Sequence, residues 1–213
     1  MTTFKHDMTM MYAMHDALRR ELEAIARITA RGGDDPRRVL GAAAGWELFT
    51  TALHVHHTAE DEALWPPMSQ ALAARPDDLA LLAAMEAEHA AVDPLIEGID
   101  AALADREGGP ERLGELTDAL ATALKDHLDH EEKEALALID ATVTDAQWRY
   151  FGEVHSARIG PKVSRVLPWL LDGASTETSA AILGLLPEPV RLAYRDTWQP
   201  AYARADLWGG AAR

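Results

Sequence analysis

The chain has 213 residues, a formal net charge of -15 and no cysteine. Its acidity repels phosphate backbones and anionic lipid, which argues against nucleic-acid and membrane-surface partners. Without thiols there are no disulfides, iron–sulfur clusters or thiolate zinc sites, so any metal must be held by nitrogen and oxygen.

Apolar residues make up 48% and charged residues 26%, with Ala and Leu prominent and aromatics at 6%. This is the composition of a folded helical protein. The start of the chain has no apolar leader, and no apolar run is long enough for a bilayer span. With the lack of disulfides, this predicts a cytoplasmic protein.

Gly, Pro and Asp cluster at residues 31–36, 75–78 and 107–110, marking three breaks. Between them the spacing predicts helices over 8–30, 36–73, 78–105 and 111–141. Steps of three and four mark the buried stripe of each. The first stripe reads Met8, Met11, His15, Leu18, Leu22, Ile25, and the second Phe49, Leu53, His56, Glu60, Leu64. The third reads Leu82, Met85, His89, Val92, Ile96, Ile99, Leu103, and the fourth Leu113, Leu116, Leu120, Leu124, His127, Glu131, Leu138. The fold class is all-α: an up-down-up-down four-helix bundle with additional short C-terminal helices. Residues 1–142 form the bundle and 143–213 a helical extension packed on it.

Each stripe is apolar except near its middle, where it carries His, and two also carry Glu. A buried ionisable group without a partner costs several kcal/mol. One such His is ordinarily a hydrogen-bonded core residue, but six groups on four stripes need a common explanation. Short connections make neighbouring helices antiparallel, and the polar residues lie at similar distances from the breaks. All four helices therefore bring them to one layer.

His56–Glu60 and His127–Glu131 are both H-x-x-x-E pairs, a spacing that puts imidazole and carboxylate on one face. Such a pair can hold one metal, or its carboxylate can bridge two. With His15 and His89 the set has four imidazoles and two carboxylates, which suits iron or manganese better than structural zinc. Ferritin-like sites use E-x-x-H pairs with extra glutamates, an order absent here.

The ordered series His15, His56–Glu60, His89, His127–Glu131 resembles the hemerythrin, or HHE cation-binding, family over about residues 8 to 142. The strings His56-His57-Thr58-Ala59-Glu60-Asp61, Leu64-Trp65-Pro66 and His127-Leu128-Asp129-His130-Glu131-Glu132 carry the likeness. The resemblance implies two oxygen-bridged iron ions, with Glu60 and Glu131 as bridging carboxylates. His15 and His56 would hold one iron, and His89 and His127 the other. One departure stands out. Oxygen-carrying members have a second His one turn from the first on the third helix, where this chain has Met85 and Asp93. A missing ligand would leave an open iron and favour reaction over reversible O2 storage.

Pro94 falls inside the third helix and cannot donate to the Ala90 carbonyl, which predicts a kink or bulge that either aims His89 and Asp93 or is merely tolerated. His57 with Asp61 is a second i, i+4 pair, one residue off the stripe, and competes with His56 and Glu60. His130 reads either as a group orienting the ligands or as a surface residue. His54, His6 and His155 read as unrelated to the site, and Glu132 and Glu134 as a solvated face. In the extension, Pro161, Pro168, Pro187, Pro189 and Pro200 cut short helices rich in Trp and Leu. It either caps the bundle and limits access to the iron, forms a homodimer interface, or is extra core.

The function read from this sequence is a non-haem di-iron protein that reacts with a small oxidant: O2, hydrogen peroxide or nitric oxide. Peroxide decomposition is the specific expectation. The alternative is an iron or oxygen sensor without turnover that signals through the extension. An oxygenase of a dedicated pathway is a third reading.

Overall fold

A computed structural model describes residues 4–30, 44–105 and 110–208 of the chain. The first break, the predicted helical stretch 36–43 and residues 107–109 lie outside them. The fold is all-α, with no strand among the described residues. The bundle consists of α1 (Thr9–Thr29), α2 (Ala44–Ala63), α4 (Pro76–Ala104) and α5 (Pro110–His130). α1 packs on α2 and α5, and α4 on the same two helices, which closes the ring of four.

The predicted second helix is interrupted. It stops at Ala63, and a short α3 (Trp65–Ala71) follows Leu64. Pro66 and Pro67 sit in the first turn of α3. Neither has an N–H to continue the preceding ladder, whereas a helix start needs none there. Of the kink or bulge predicted at Pro94, the bulge is absent: one α-helix runs from Pro76 to Ala104 through it. Ala90 and Pro94 both face solvent, so water can take the carbonyl that Pro94 leaves free. An irregular turn of the bundle lies instead in the fourth helix. Glu131–Ala135 is a π-turn between α5 and α6 (Leu136–Thr142).

The apolar core is divided into two clusters. One gathers Leu18, Leu22, Ile25, Phe49, Leu53, Val92, Ile99, Leu120 and Leu124. The other gathers Met8, Met11, Leu64, Trp65, Met68, Leu82, Met85, Leu136 and Ile139. The polar layer lies between them. Each fully buried Leu, Ile or Phe contributes about 1.5–3 kcal/mol, and together these flanking clusters offset the cost of a charged layer in mid-core.

The extension comprises α7 (Asp145–Ile159), α8 (Val163–Leu171), α9 (Thr176–Leu185), α10 (Glu188–Ala193) and α11 (Gln199–Arg204). Thr144 opens α7 with a capping box to Gln147. α7 lies along α2, and α8 packs on α1 and α2. Val166, Leu167, Trp169 and Leu170 join the first apolar cluster. Trp208 returns to the bundle, donating from Nε1 to Glu21 Oε2 at 2.8 Å. It lies so close to Gly45 that a Cβ there would be 2.4 Å from the indole.

Candidate metal centre

α1 presents His15, α2 His56 and Glu60, α4 His89, and α5 His127. Glu131 opens the π-turn. All six are buried: His15, Glu60, His127 and Glu131 are 0% exposed, His56 1% and His89 4%. The turn widens the helix where Glu131 enters the core, a known use of π-bulges.

The imidazoles meet in pairs. His15 Nε2 is 3.1 Å from His56 Nε2, and His89 Nε2 is 3.2 Å from His127 Nε2. Two donors about 2.1 Å from one metal and at right angles to each other lie about 3 Å apart, so each pair fits a shared cation. The carboxylates span both pairs. Glu60 sets Oε1 3.5 Å from His56 and Oε2 3.6 Å from His89. Glu131 Oε2 is 3.3 Å from His15 and 3.9 Å from His127. None of the four carboxylate oxygens makes a hydrogen bond, although all are buried.

Acidic side chains outside the stripes hold the rings. His15 Nδ1 donates to Glu132 Oε1 at 2.9 Å, His89 Nδ1 to Asp61 Oδ1 at 2.8 Å, and His127 Nδ1 to Glu88 Oε2 at 2.9 Å. In a neutral imidazole a proton on Nδ1 leaves a lone pair on Nε2. In the His89–His127 pair, two lone pairs then point at each other across 3.2 Å. That contact is repulsive unless a cation or an extra proton lies between them. Carboxylate–imidazole–metal chains of this kind fix tautomer and ring orientation.

The electrostatics agree. Burial, and then neighbouring imidazoles, push His56 and His57 well below the usual histidine range. Burial also lowers His127, against the attraction of Glu131. Burial opposes the charge on His15, but Glu131 and Glu132 outweigh it and raise the ring to about 9. Glu60 is raised well above the carboxylate range by burial and by Glu131, which His15 holds low against its own burial. With protons alone, burial and Glu131 favour the neutral form of Glu60. Bound dications would allow both carboxylates to ionise.

Several off-stripe residues take parts that differ from expectation. Glu132 faces the site rather than solvent: it accepts from His15 and, at 2.7 Å, from Arg19. Asp61 pairs with His89. His130 donates to Glu88 at 2.8 Å, beside His127, which supports an orienting role. His57 also turns inward, 5% exposed, and its Nε2 lacks any partner. Asp93 is exposed, at the groove beside His57 and His89. His155 is not remote, since its ring lies 6.4 Å from that of His56. His6 stacks on Trp148, away from the layer. Glu88 was not singled out, yet a signal existed: Glu88, Asp61 and Glu132 each sit next in sequence to an inward-facing polar residue. Glu88→Ala should weaken iron binding about 10–100-fold, read by competition with a chelator.

Two openings flank the layer. A groove lined by His57, Asp61, His89 and Asp93 lies on one side. An apolar cavity of about 300 Å³ lies on the other, lined by Met11, Met14, His56, Phe151 and His155. Among the described residues no helix is long and apolar enough to cross a membrane. The Hemerythrin HHE cation binding domain family matches residues 6–139 of the chain. Neither the curated proteins nor the solved structures contain a match.

Proposed function

Since the chain belongs to the hemerythrin HHE cation-binding family, we propose that its buried layer holds two iron ions and reacts with O2, hydrogen peroxide or nitric oxide. His15 and His56 hold one ion, and His89 and His127 the other, with Glu60 and Glu131 shared between them. The observation that carries this reading is the pair of opposed Nε2 contacts, at 3.1 and 3.2 Å, spanned by two carboxylates without hydrogen bonds. When bound, the two irons supply the electrons that reduce an oxidant.

The protein's own groups position and shield. Glu132, Asp61 and Glu88 hold three imidazoles with Nε2 facing inward. Leu18, Leu53 and Leu124 on one side, and Met85 and Leu136 on the other, exclude bulk water. The cavity beside His56 is mostly apolar and suits a small neutral molecule. Peroxide decomposition is the specific reaction proposed. Iron-loaded protein should release O2 from hydrogen peroxide at a rate well above free iron. Consumption of nitric oxide without O2 release from peroxide would redirect the assignment to nitric oxide.

One contact favours a second reading, a sensor without turnover. His155 and Phe151 of α7 border His56, so a change at that iron bears directly on the extension. Iron-dependent protease sensitivity of residues 143–208, with no turnover of any oxidant, would support it.

A further inference from the structure

The iron proposed at His89 and His127 has only two imidazoles on the stripes. The position one turn before His89 is Met85, fully buried in the apolar cluster. Its thioether is a poor ligand for oxidised iron. The position one turn after is Asp93, which faces solvent. α4 therefore offers one nitrogen where two would fit.

We propose that His57 supplies the missing imidazole, as a third nitrogen ligand to the iron held by His89 and His127. This rests on the two-iron reading above. Neighbouring residues on a helix are turned about 100° apart, so α2 can serve both ions. His56 reaches the His15 side, His57 reaches α4 and α5, and Glu60 lies one turn further on between them. The coordinating atoms of His57, His89 and His127 lie within 4.8 Å of one another. The His57 ring meets His127 edge-on, with centroids 5.1 Å apart at 83°.

The orphaned nitrogen is the second observation. His57 is 5% exposed and its Nε2 has no hydrogen-bond partner. Leaving such a group unsatisfied costs stability. Elsewhere in this layer the chain supplies carboxylates to the Nδ1 atoms of three histidines. A bare Nε2 here is what a ligand atom looks like without its metal.

The His57 and His89 rings are stacked, with centroids 3.9 Å apart and planes 5° from parallel. A cation lies in the plane of each ring that binds it, so one ring must turn when both share it. His89 is tied to Asp61 through Nδ1. His57 has no such tie at Nε2, so it is the ring that turns. The third imidazole fills this iron's coordination more fully, leaving the His15–His56 ion the more open, on the side of the apolar cavity.

Stacking without ligation is the competing role, and His57→Phe separates the two, because it keeps a flat ring and removes the nitrogens. The second variant is His57→Phe with Met85→His, which returns an imidazole from α4. Iron per chain, iron affinity against a chelator and Mössbauer spectra would be measured on parent and both variants, with circular dichroism to confirm folding. We expect His57→Phe to weaken one of the two sites at least about tenfold and to change one of two Mössbauer signals. The double variant should recover two irons. If His57→Phe binds two irons with the parent's affinity and spectrum, His57 only stacks, and the proposal is overturned while the two-iron reading stands. A parent chain that binds no iron overturns both.

Discussion

His56→Ala combined with His127→Ala is expected to cut bound iron from about two per chain to a small residue. Each substitution removes an imidazole from a different pair, so neither ion keeps its opposed Nε2 donors. Glu60 and Glu131 would remain beside His15, His57 and His89, but neither ion would keep a complete donor set, and such partial sets hold these ions weakly against water and chelators. The folded bundle should survive, since the Leu, Ile and Phe clusters on both sides of the layer are untouched. The measurement is elemental analysis of desalted protein, with circular dichroism on both chains. A variant that still carries two irons would show that the metals sit elsewhere. A parent without iron would mean that the layer binds another metal or none, and the oxidant chemistry would lose its basis.

The stripes were legible because they obey one rule, burial of every third or fourth residue on a helix. That rule located His15, His56, Glu60, His89, His127 and Glu131, and the structure brings all six into one layer. It could not see the groups that hold them. Glu88, Asp61 and Glu132 lie about 100° off the stripe, and each serves a histidine on a different helix. Which carboxylate reaches which ring depends on helix rotation and spacing, which no single helix encodes. The same rule set His57 against His56, as though only one could face inward. A layer wide enough for two ions covers more of the α2 surface than one stripe, and both residues fit.

Two backbone departures had different degrees of visibility. Pro66-Pro67 carried a signal for the stop of α2 that the prediction of one helix to residue 73 passed over, since paired prolines suit the first turn of a new helix and cannot continue an old one. The π-turn at Glu131–Ala135 left almost no trace. One residue inserted into a helix shifts the stripe only slightly, from Leu138, which is 8% exposed, to Leu136 and Ile139, both 0% exposed. Pro94 was expected to kink or bulge the helix, and α4 continues through it without a bulge at a place where the helix face is wet.

Glu60 offers the test that most directly separates a metal site from a structural polar core. Its carboxyl is 0% exposed, neither oxygen has a hydrogen-bond partner, and burial with Glu131 nearby pushes it towards the neutral form. If Glu60 serves the fold, Glu60→Leu should destabilise the chain under every condition. If it serves iron, the signs split. Without iron, Glu60→Leu removes an unsatisfied buried group and should stabilise by about 1–3 kcal/mol, or roughly 2–12 °C in Tm for a chain of this size. With iron, the parent gains stability by mass action, whereas the variant has lost a shared ligand and should gain little. Thermal unfolding of both chains, iron-free and iron-loaded, therefore predicts a crossing: the variant is the more stable without iron and the less stable with it. Equal loss in both states would remove Glu60 from the site. A crossing would show that the chain keeps this carboxylate at a cost to its own fold, which only the bound ions repay.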